Sequence, residues 1–313
     1  MHEHKASGTA YLIAASLAAS GSDPVLGRLL PPNGARLAEW VIGDTLRNGR
    51  VLLWALQQPW GRGILRLIER MVLPGIQSHY IVRKRYIEDA VRGGLRSCFR
   101  QVVNVGAGFD SLCWRLHSEY PKVIFLELDH PSTQREKRKT LEKHASLKAN
   151  LHLQAADLTR VDLATALRDC PQFDTRLPTL FVIEGLTMYL TEMEIKGLFR
   201  SMLDLRLPQT RVVFTFMEPQ QDGRVNFPQA SGVVAWWLSH RAERFKWGIG
   251  RGLIPEFLSA QGFQLAELAD ERDLRRLYMS DPVFDRVHLA MGELVCVADS
   301  GGPCAIIETD QNQ

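Results

Sequence analysis

Five short apolar runs, each followed by a stretch of helical character, constrain this chain more than any other feature of it. The runs are "QVVNV", "KVIFLEL", "LHLQA", "TLFVIE" and "RVVFTF", each of strand length and bounded by turn-forming residues. Between them lie "DSLCWRLHSEY", then "HPSTQREKRKTLEKHA" with a proline at its start, and "RVDLATALRD". The fourth spacer is "TEMEIKGLFRSMLDL", where Thr191 and Glu194 have capping-box spacing. Strands alternating with helices predict βαβ units and a parallel sheet covered on both faces. After Phe216 the rhythm changes. "QASGVVAWWLSHRAERF" and "GLIPEFLSAQG" read as helix, then "FQLAEL" and "ELVCVAD" as two late strands.

Residues before Tyr80 show no strand-like alternation. "ARLAEWVIGDTL" and "GRGILRLIERMVL" repeat apolar residues every three or four positions, as amphipathic helices do. Proline and glycine punctuate at "LLPPNG", "QQPWG" and "LPG". The expected organisation is a helical region or cap over 1–85, a Rossmann-like core over 86–300 with a helical insertion around 225–260, and a tail over 301–313. "HKASGTAYLIAASLAASGS" is read as an amphipathic helix rather than a leader, and no stretch reaches the roughly 18 unbroken apolar residues of a span. No membrane partner is expected. A net charge of +3 over 313 residues gives no basic footprint for nucleic acid. Five scattered cysteines without a C-x-x-C pair suit reduced thiols and a cytoplasmic location, and no metal site is expected.

In an open parallel sheet a ligand sits beyond the carboxyl ends of the strands, where their order reverses. "NVGAGFD" places Gly106, Ala107, Gly108 and Asp110 just after the first strand, where glycine permits an unusual turn and close approach of a ligand to the backbone. Asp129 ends the second strand, about 20 residues on, where an acid usually binds ribose hydroxyls. Glu127 lies two residues earlier, on the same side of that strand. Asp157 follows the third strand in "AADLT"; Glu184 and Tyr189 follow the fourth in "EGLTMYL". A dinucleotide fingerprint wants a third glycine where Ser111 stands, and no G-K-[ST] is present. A ribose-binding acid without phosphate machinery fits S-adenosylmethionine better than NAD.

In these motifs the chain resembles the leucine carboxyl methyltransferase family, and within it the bacterial branch near tetracenomycin-type polyketide carboxyl methyltransferases. The resemblance rests on "HYIVRKRYIEDA", "QVVNVGAGFDSLCWRL", "FLELDHPSTQREKR", "AADLT", "TLFVIEGLTMYLT" and "FKWGI", from about Thr9 to Val297. It implies a class I methyltransferase fold: an α/β, seven-stranded sheet with the last strand antiparallel and a helical cap. It implies S-adenosylmethionine as cofactor and S-adenosylhomocysteine as product. By the family pattern Gly106 and Gly108 line the methionine part, Asp129 holds the ribose, and Asp157 and Leu158 face the adenine. Glu184 sits near the cofactor's amino group, Arg83 meets its carboxylate, and Tyr189 lies near the substrate carboxylate. Two positions depart from the pattern. Ser78 or His79 stands where eukaryotic members carry another arginine, and Leu112 where many bacterial members carry one.

Methyl transfer asks the protein mainly to align nucleophile, carbon and sulfur. A carboxylate, with a reference pKa of about 4, needs no base at neutral pH; a phenol near 10 usually benefits from one. His79 and His240 are the candidate bases, Arg83, Lys84 and Arg85 a basic cluster for an anionic acceptor, and Trp236, Trp237 and Trp247 either acceptor contacts or core. The expected activity is O-methylation of a carboxylate on a small specialised metabolite. The alternatives are methylation of a hydroxyl and a catalytically silent binding module.

Overall fold

All seven apolar runs are strands of one sheet. A computed structural model describes residues 8–232 and 244–302. The strands are β1 (Gln101–Val105), β2 (Ile124–Asp129), β3 (Leu151–Ala155), β4 (Thr179–Ile183), β5 (Thr210–Met217), β6 (Gln264–Ala269) and β7 (Glu293–Ser300). Their order is β3-β2-β1-β4-β5-β7-β6. Pairings among the first five are parallel, and β7 runs antiparallel to both its neighbours. The order reverses between β1 and β4, so the crevice for a ligand opens above those two strands.

The central strands β1, β2, β4 and β5 are buried on both sides, which is why they read as apolar runs rather than alternating ones, whereas the edge strands β3 and β6 are partly exposed. Val102, Phe125, Leu180 and Val213 belong to one core; Val103, Leu126, Phe181 and Phe214 belong to the other. The first core is closed by α5 (Ile76–Arg96), whose Ile81, Val82, Ile87 and Val91 are buried, and by the short α6 (Leu112–Leu116). The second is closed by α8 (Leu163–Arg168) and α9 (Glu192–Asp204). The capping box at α9 is present: Thr191 Oγ1 accepts from the Glu194 backbone and the Glu194 carboxylate from that of Thr191.

The N-terminal region is helical: α1 (Gly8–Gly21), α2 (Arg36–Thr45), α3 (Gly49–Gln57) and α4 (Pro59–Val72) lead into α5. Position 85 falls inside α5, which continues without a break from this region into the sheet. α1 and α2 pack on each other, and α2 also packs on α7 (Pro131–His144). Of the insertion expected around 225–260, residues 233–243 lie outside the described residues, 244–253 carry no regular helix or strand, and α10 (Ile254–Ala260) follows. One cysteine reading needs correction. Cys113, Cys170 and Cys296 are free and buried, but Cys98 is disulfide-bonded; pairing depends on proximity in the fold, which spacing along the chain does not show.

Candidate active site

The turn after β1 is held in shape by the acid at the end of β2. Gly106 and Gly108 both have positive φ, 68° and 50°, a region that penalises any Cβ. The Gly108 N–H donates to Asp129 Oδ2 and the His130 N–H to Oδ1, each at 2.6 Å. Burial pushes the Asp129 carboxyl up, against the pull of these backbone donors. Asp129 is not the cap of the helix that follows; that role falls to the His130 side chain, which accepts from the Ser132 N–H. Ala107 is buried in the turn. Helix α1 covers the turn, with Tyr11 packed on Phe109 at 5.0 Å between ring centroids.

Beside the turn lies a buried lattice of charges. Arg83, on α5, donates from Nε and Nη2 to Glu184 Oε1 at 3.0 and 2.7 Å, and from Nη1 to Glu293 Oε2 at 2.7 Å. Its guanidinium lies over the Tyr80 ring, and burial pushes the Tyr80 hydroxyl up to about 12. Lys84 Nζ bridges Asp110 Oδ1 at 2.8 Å and Glu184 Oε2 at 2.9 Å. Asn104 donates its amide to Asp110 Oδ2. Burial alone would raise the Asp110 carboxyl, but Lys84 and Lys137 outweigh it and hold the group well below the carboxylate range. Glu293 is likewise held down at about 2, burial being overcome by Arg83 and His79. Arg85, the third of the basic cluster, turns away and lies over Tyr278.

Glu127 is wholly buried and paired with Lys137 of α7, whose Nζ also donates to the Asp110 carbonyl. Burial raises the Glu127 carboxyl. It sits beneath the crevice as a strut, whereas Asp129 reaches the strand end. At the end of β3, Asp157 accepts from the backbone and hydroxyl of Thr159, and Leu158 beside it is half-buried.

At the end of β4, Tyr189 packs edge-on to Phe245 at 5.4 Å, in a cluster with Met188, Met217 and Phe227. Trp247 is buried against Phe216 and Phe257, so its bulk is core. Trp236, Trp237 and His240 lie outside the described residues. His79 is fully buried and meets Glu293 at 3.0 Å. Ser78 donates its hydroxyl to the Gly75 and His288 carbonyls. Neither offers a free cation in place of the arginine of eukaryotic relatives. Leu112 is likewise buried in the core.

Glu293, Lys137 and Asn104 were not foreseen as site residues. Asn104 carried a usable signal, a polar side chain inside an apolar strand; Glu293 carried none, being one acid among many. The assembled site holds five carboxylates (Asp110, Glu127, Asp129, Glu184, Glu293) and three cations (Arg83, Lys84, Lys137). S-adenosylmethionine carries a sulfonium, an ammonium and one carboxylate, so its net positive charge offsets that excess. A pyrophosphate would add to it. The donor set fits the cofactor the sequence pointed to.

Comparison with known proteins agrees. Residues 19–203 match the leucine carboxyl methyltransferase family. A Mycobacterium marinum protein provisionally named an S-adenosyl-L-methionine-dependent methyltransferase is 28% identical over 224 residues, covering 66% of this chain and 67% of that protein. A Caenorhabditis briggsae protein provisionally named leucine carboxyl methyltransferase 1 is 32% identical over 154 residues, covering 42% of this chain and 46% of its own. The chain thus spans between about half and two thirds of these relatives. Among solved structures, a DUF574 family protein from Streptomyces avermitilis has a TM-score of 0.57 at 15% identity, covering 85% of this chain and 96% of that one. A protein from Thermobifida fusca scores 0.55 at 16% identity, covering 85% and 94%. At such identities these two structures show the shared fold alone.

Proposed function

We propose, for a chain that belongs to the leucine carboxyl methyltransferase family and is an S-adenosylmethionine-dependent methyltransferase, that the acceptor is a carboxylate on a small specialised metabolite. The products are then a methyl ester and S-adenosylhomocysteine. The observation that carries the reading is the acceptor end of the site. There Tyr189 stands among Phe245, Met188 and Met217, while His79 is committed to Glu293 in the lattice below. The other candidate base, His240, lies outside the described residues. A carboxylate nucleophile, ionised at neutral pH, needs no base.

The cofactor supplies an electrophilic methyl group on a sulfonium. On this reading Asp129 holds the ribose hydroxyls, and Asp157 with Leu158 bounds the adenine. Arg83 and Lys84 meet the amino-acid carboxylate, and Glu184 meets the amino group. Tyr189 orients the acceptor through its hydroxyl, and the apolar cluster around it excludes water. Alignment of this kind contributes on the order of 7–11 kcal/mol to a displacement. The loss of a cation at Ser78 and His79 supports a small acceptor rather than a peptide terminus. The name of the Caenorhabditis relative supports a carboxyl group.

The test is a single-turnover pH profile with the acceptor, followed by alkaline treatment of the product. The chemical step should be flat from about pH 6 to 9, because a carboxylate titrates near 4. The product should be cleaved by mild base. A rate that climbs through a pKa near 6.5, with a base-stable methyl ether as product, would overturn the carboxylate reading.

A further inference from the structure

Helices α3 and α4 form a hairpin whose outer face is apolar and unpartnered. Val51, Leu52 and Trp54 on α3, and Trp60, Ile64, Leu67, Ile68 and Met71 on α4, are all exposed. The α4 positions recur at spacings of three and four, so they lie along one face of the helix. Trp54 and Trp60 meet edge-on at 6.3 Å across the hairpin. The hairpin is closely packed at both helix starts. A Cβ at Gly49 or at Gly61 would come within 1.9 Å of the Ile42 or Ala55 carbonyl oxygen, so both helix starts press on the preceding backbone. An exposed apolar surface of this extent marks an interaction site.

The charges around this face say what it meets. Residues 46–73 hold five arginines (Arg47, Arg50, Arg62, Arg66, Arg70) and one acid, Glu69. Arg66 is paired with Asp23 and Arg62 with the Gln57 carbonyl. Glu69 is turned to Gln77. Arg47, Arg50 and Arg70 are exposed and make no ion pair among the described residues. Apolar and indole side chains flanked by free arginines are the pattern of a helix lying in the interface of an anionic bilayer. A second copy fits poorly, since a two-fold contact would set these arginines against each other with little acid to answer them.

We propose that the α3–α4 hairpin docks this protein on an anionic membrane surface, with Trp54, Trp60, Leu67 and Met71 entering the headgroup boundary and Arg47, Arg50 and Arg70 meeting lipid phosphates. No described helix is long and apolar enough to cross a membrane, so the contact is peripheral. The sequence expectation of no membrane partner rested on spanning length, which does not bear on a helix lying flat. The docking face ends at Val72, which packs on the cluster holding Tyr189 and Phe245. The proposal assumes nothing about the methyl acceptor.

The test is sedimentation of the full chain with vesicles of phosphatidylcholine alone and of phosphatidylcholine mixed with phosphatidylglycerol. Binding to the anionic vesicles should exceed binding to neutral ones at least tenfold, and should weaken when added salt shortens the screening length. R47Q/R50Q/R70Q should lose about a hundredfold in partition, since each basic residue near such a surface contributes roughly fivefold. W54A/W60A should also bind more weakly. All five side chains are exposed, so thermal midpoints should hold, which keeps a binding loss distinct from unfolding. Equal binding to both vesicle types, or no loss in the arginine variant, would overturn the proposal. So would a dimer in light scattering that Leu67→Glu converts to monomer.

Discussion

On the proposed reading Asp129 straps the glycine turn and also holds the ribose, and removing its charge should expose both. Its two oxygens accept the Gly108 and His130 N–H groups at 2.6 Å, tying the glycine turn to the end of β2. The carboxylate also meets the Thr133 side chain, and on the proposed reading its remaining acceptor capacity serves the ribose hydroxyls. In Asp129→Asn one oxygen becomes an NH2 that faces a backbone donor. One charge-assisted bond, worth about 1.5–3 kcal/mol, is lost from the free protein, and thermal unfolding should show it. In Asp129→Ala the proposed ribose contacts go as well. Allowing for water that replaces part of them, affinity for S-adenosylhomocysteine should fall by about 2–4 kcal/mol, or roughly thirty- to several-hundred-fold in Kd. Calorimetry with that ligand gives the second number and a melting curve the first. If the midpoint drops while Kd stays unchanged, Asp129 is a strap for the turn and nothing more, and the ribose assignment fails.

The lattice and the acceptor end give three further expectations. Tyr189→Phe should cost about 1–3 kcal/mol in kcat/KM and leave cofactor affinity nearly unchanged, measured by steady-state kinetics beside ligand titration; an equal loss in both would remove Tyr189 from the acceptor end. Arg83→Gln leaves Glu184 and Glu293 buried without their shared cation, so denaturant unfolding should show a loss of about 3–5 kcal/mol. Adding Glu293→Gln should then recover part of it. Glu293 is held at about 2, below the ordinary carboxylate value. Its stabilisation, about 3 kcal/mol, is therefore present above about pH 4.5 and lost as pH falls toward 2. Acid unfolding of Glu293→Gln should lack that component, and an unchanged acid limb would place the sensitivity elsewhere.

The central strands were legible because burial on both faces makes them mostly apolar, and the outer strand β3 because its buried positions alternate; "QVVNV" and "LHLQA" coincide with β1 and β3 to the residue. The caps were legible where the side chains advertise them, as at Thr191. The box formed by Asp270 and Asp273 at α11 (Glu271–Tyr278) went unread because aspartate stands at both positions. At the site, period-two geometry rightly put Glu127 and Asp129 on one side of β2. It could not show that the first is covered by Lys137 while the second clears the sheet edge. The pairing of Arg83 with Glu293 spans 210 positions and depends on β7 returning between β5 and β6. No local pattern encodes such a contact.

That return also decides how a cofactor can be read. A guanidinium has five N–H groups and an ammonium three. Arg83 uses three of its five, on Glu184 and Glu293, and Lys84 two of its three, on Asp110 and Glu184. Three donors remain, enough to meet a carboxylate without breaking any existing pair. Glu184 accepts two bonds at Oε1 and one at Oε2, which leaves room for about one more from an amino group. On the proposed reading the amino-acid end of S-adenosylmethionine is therefore bound by valences a finished network has to spare. The network's own pairs fix where those valences point, and this pre-organisation keeps the cost of ordering small. The same pairs join α5 to the ends of β4 and β7. A substitution that weakens the lattice should thus lower stability and affinity together, whereas one confined to Tyr189 or Asp157, outside the lattice, should touch binding or turnover alone.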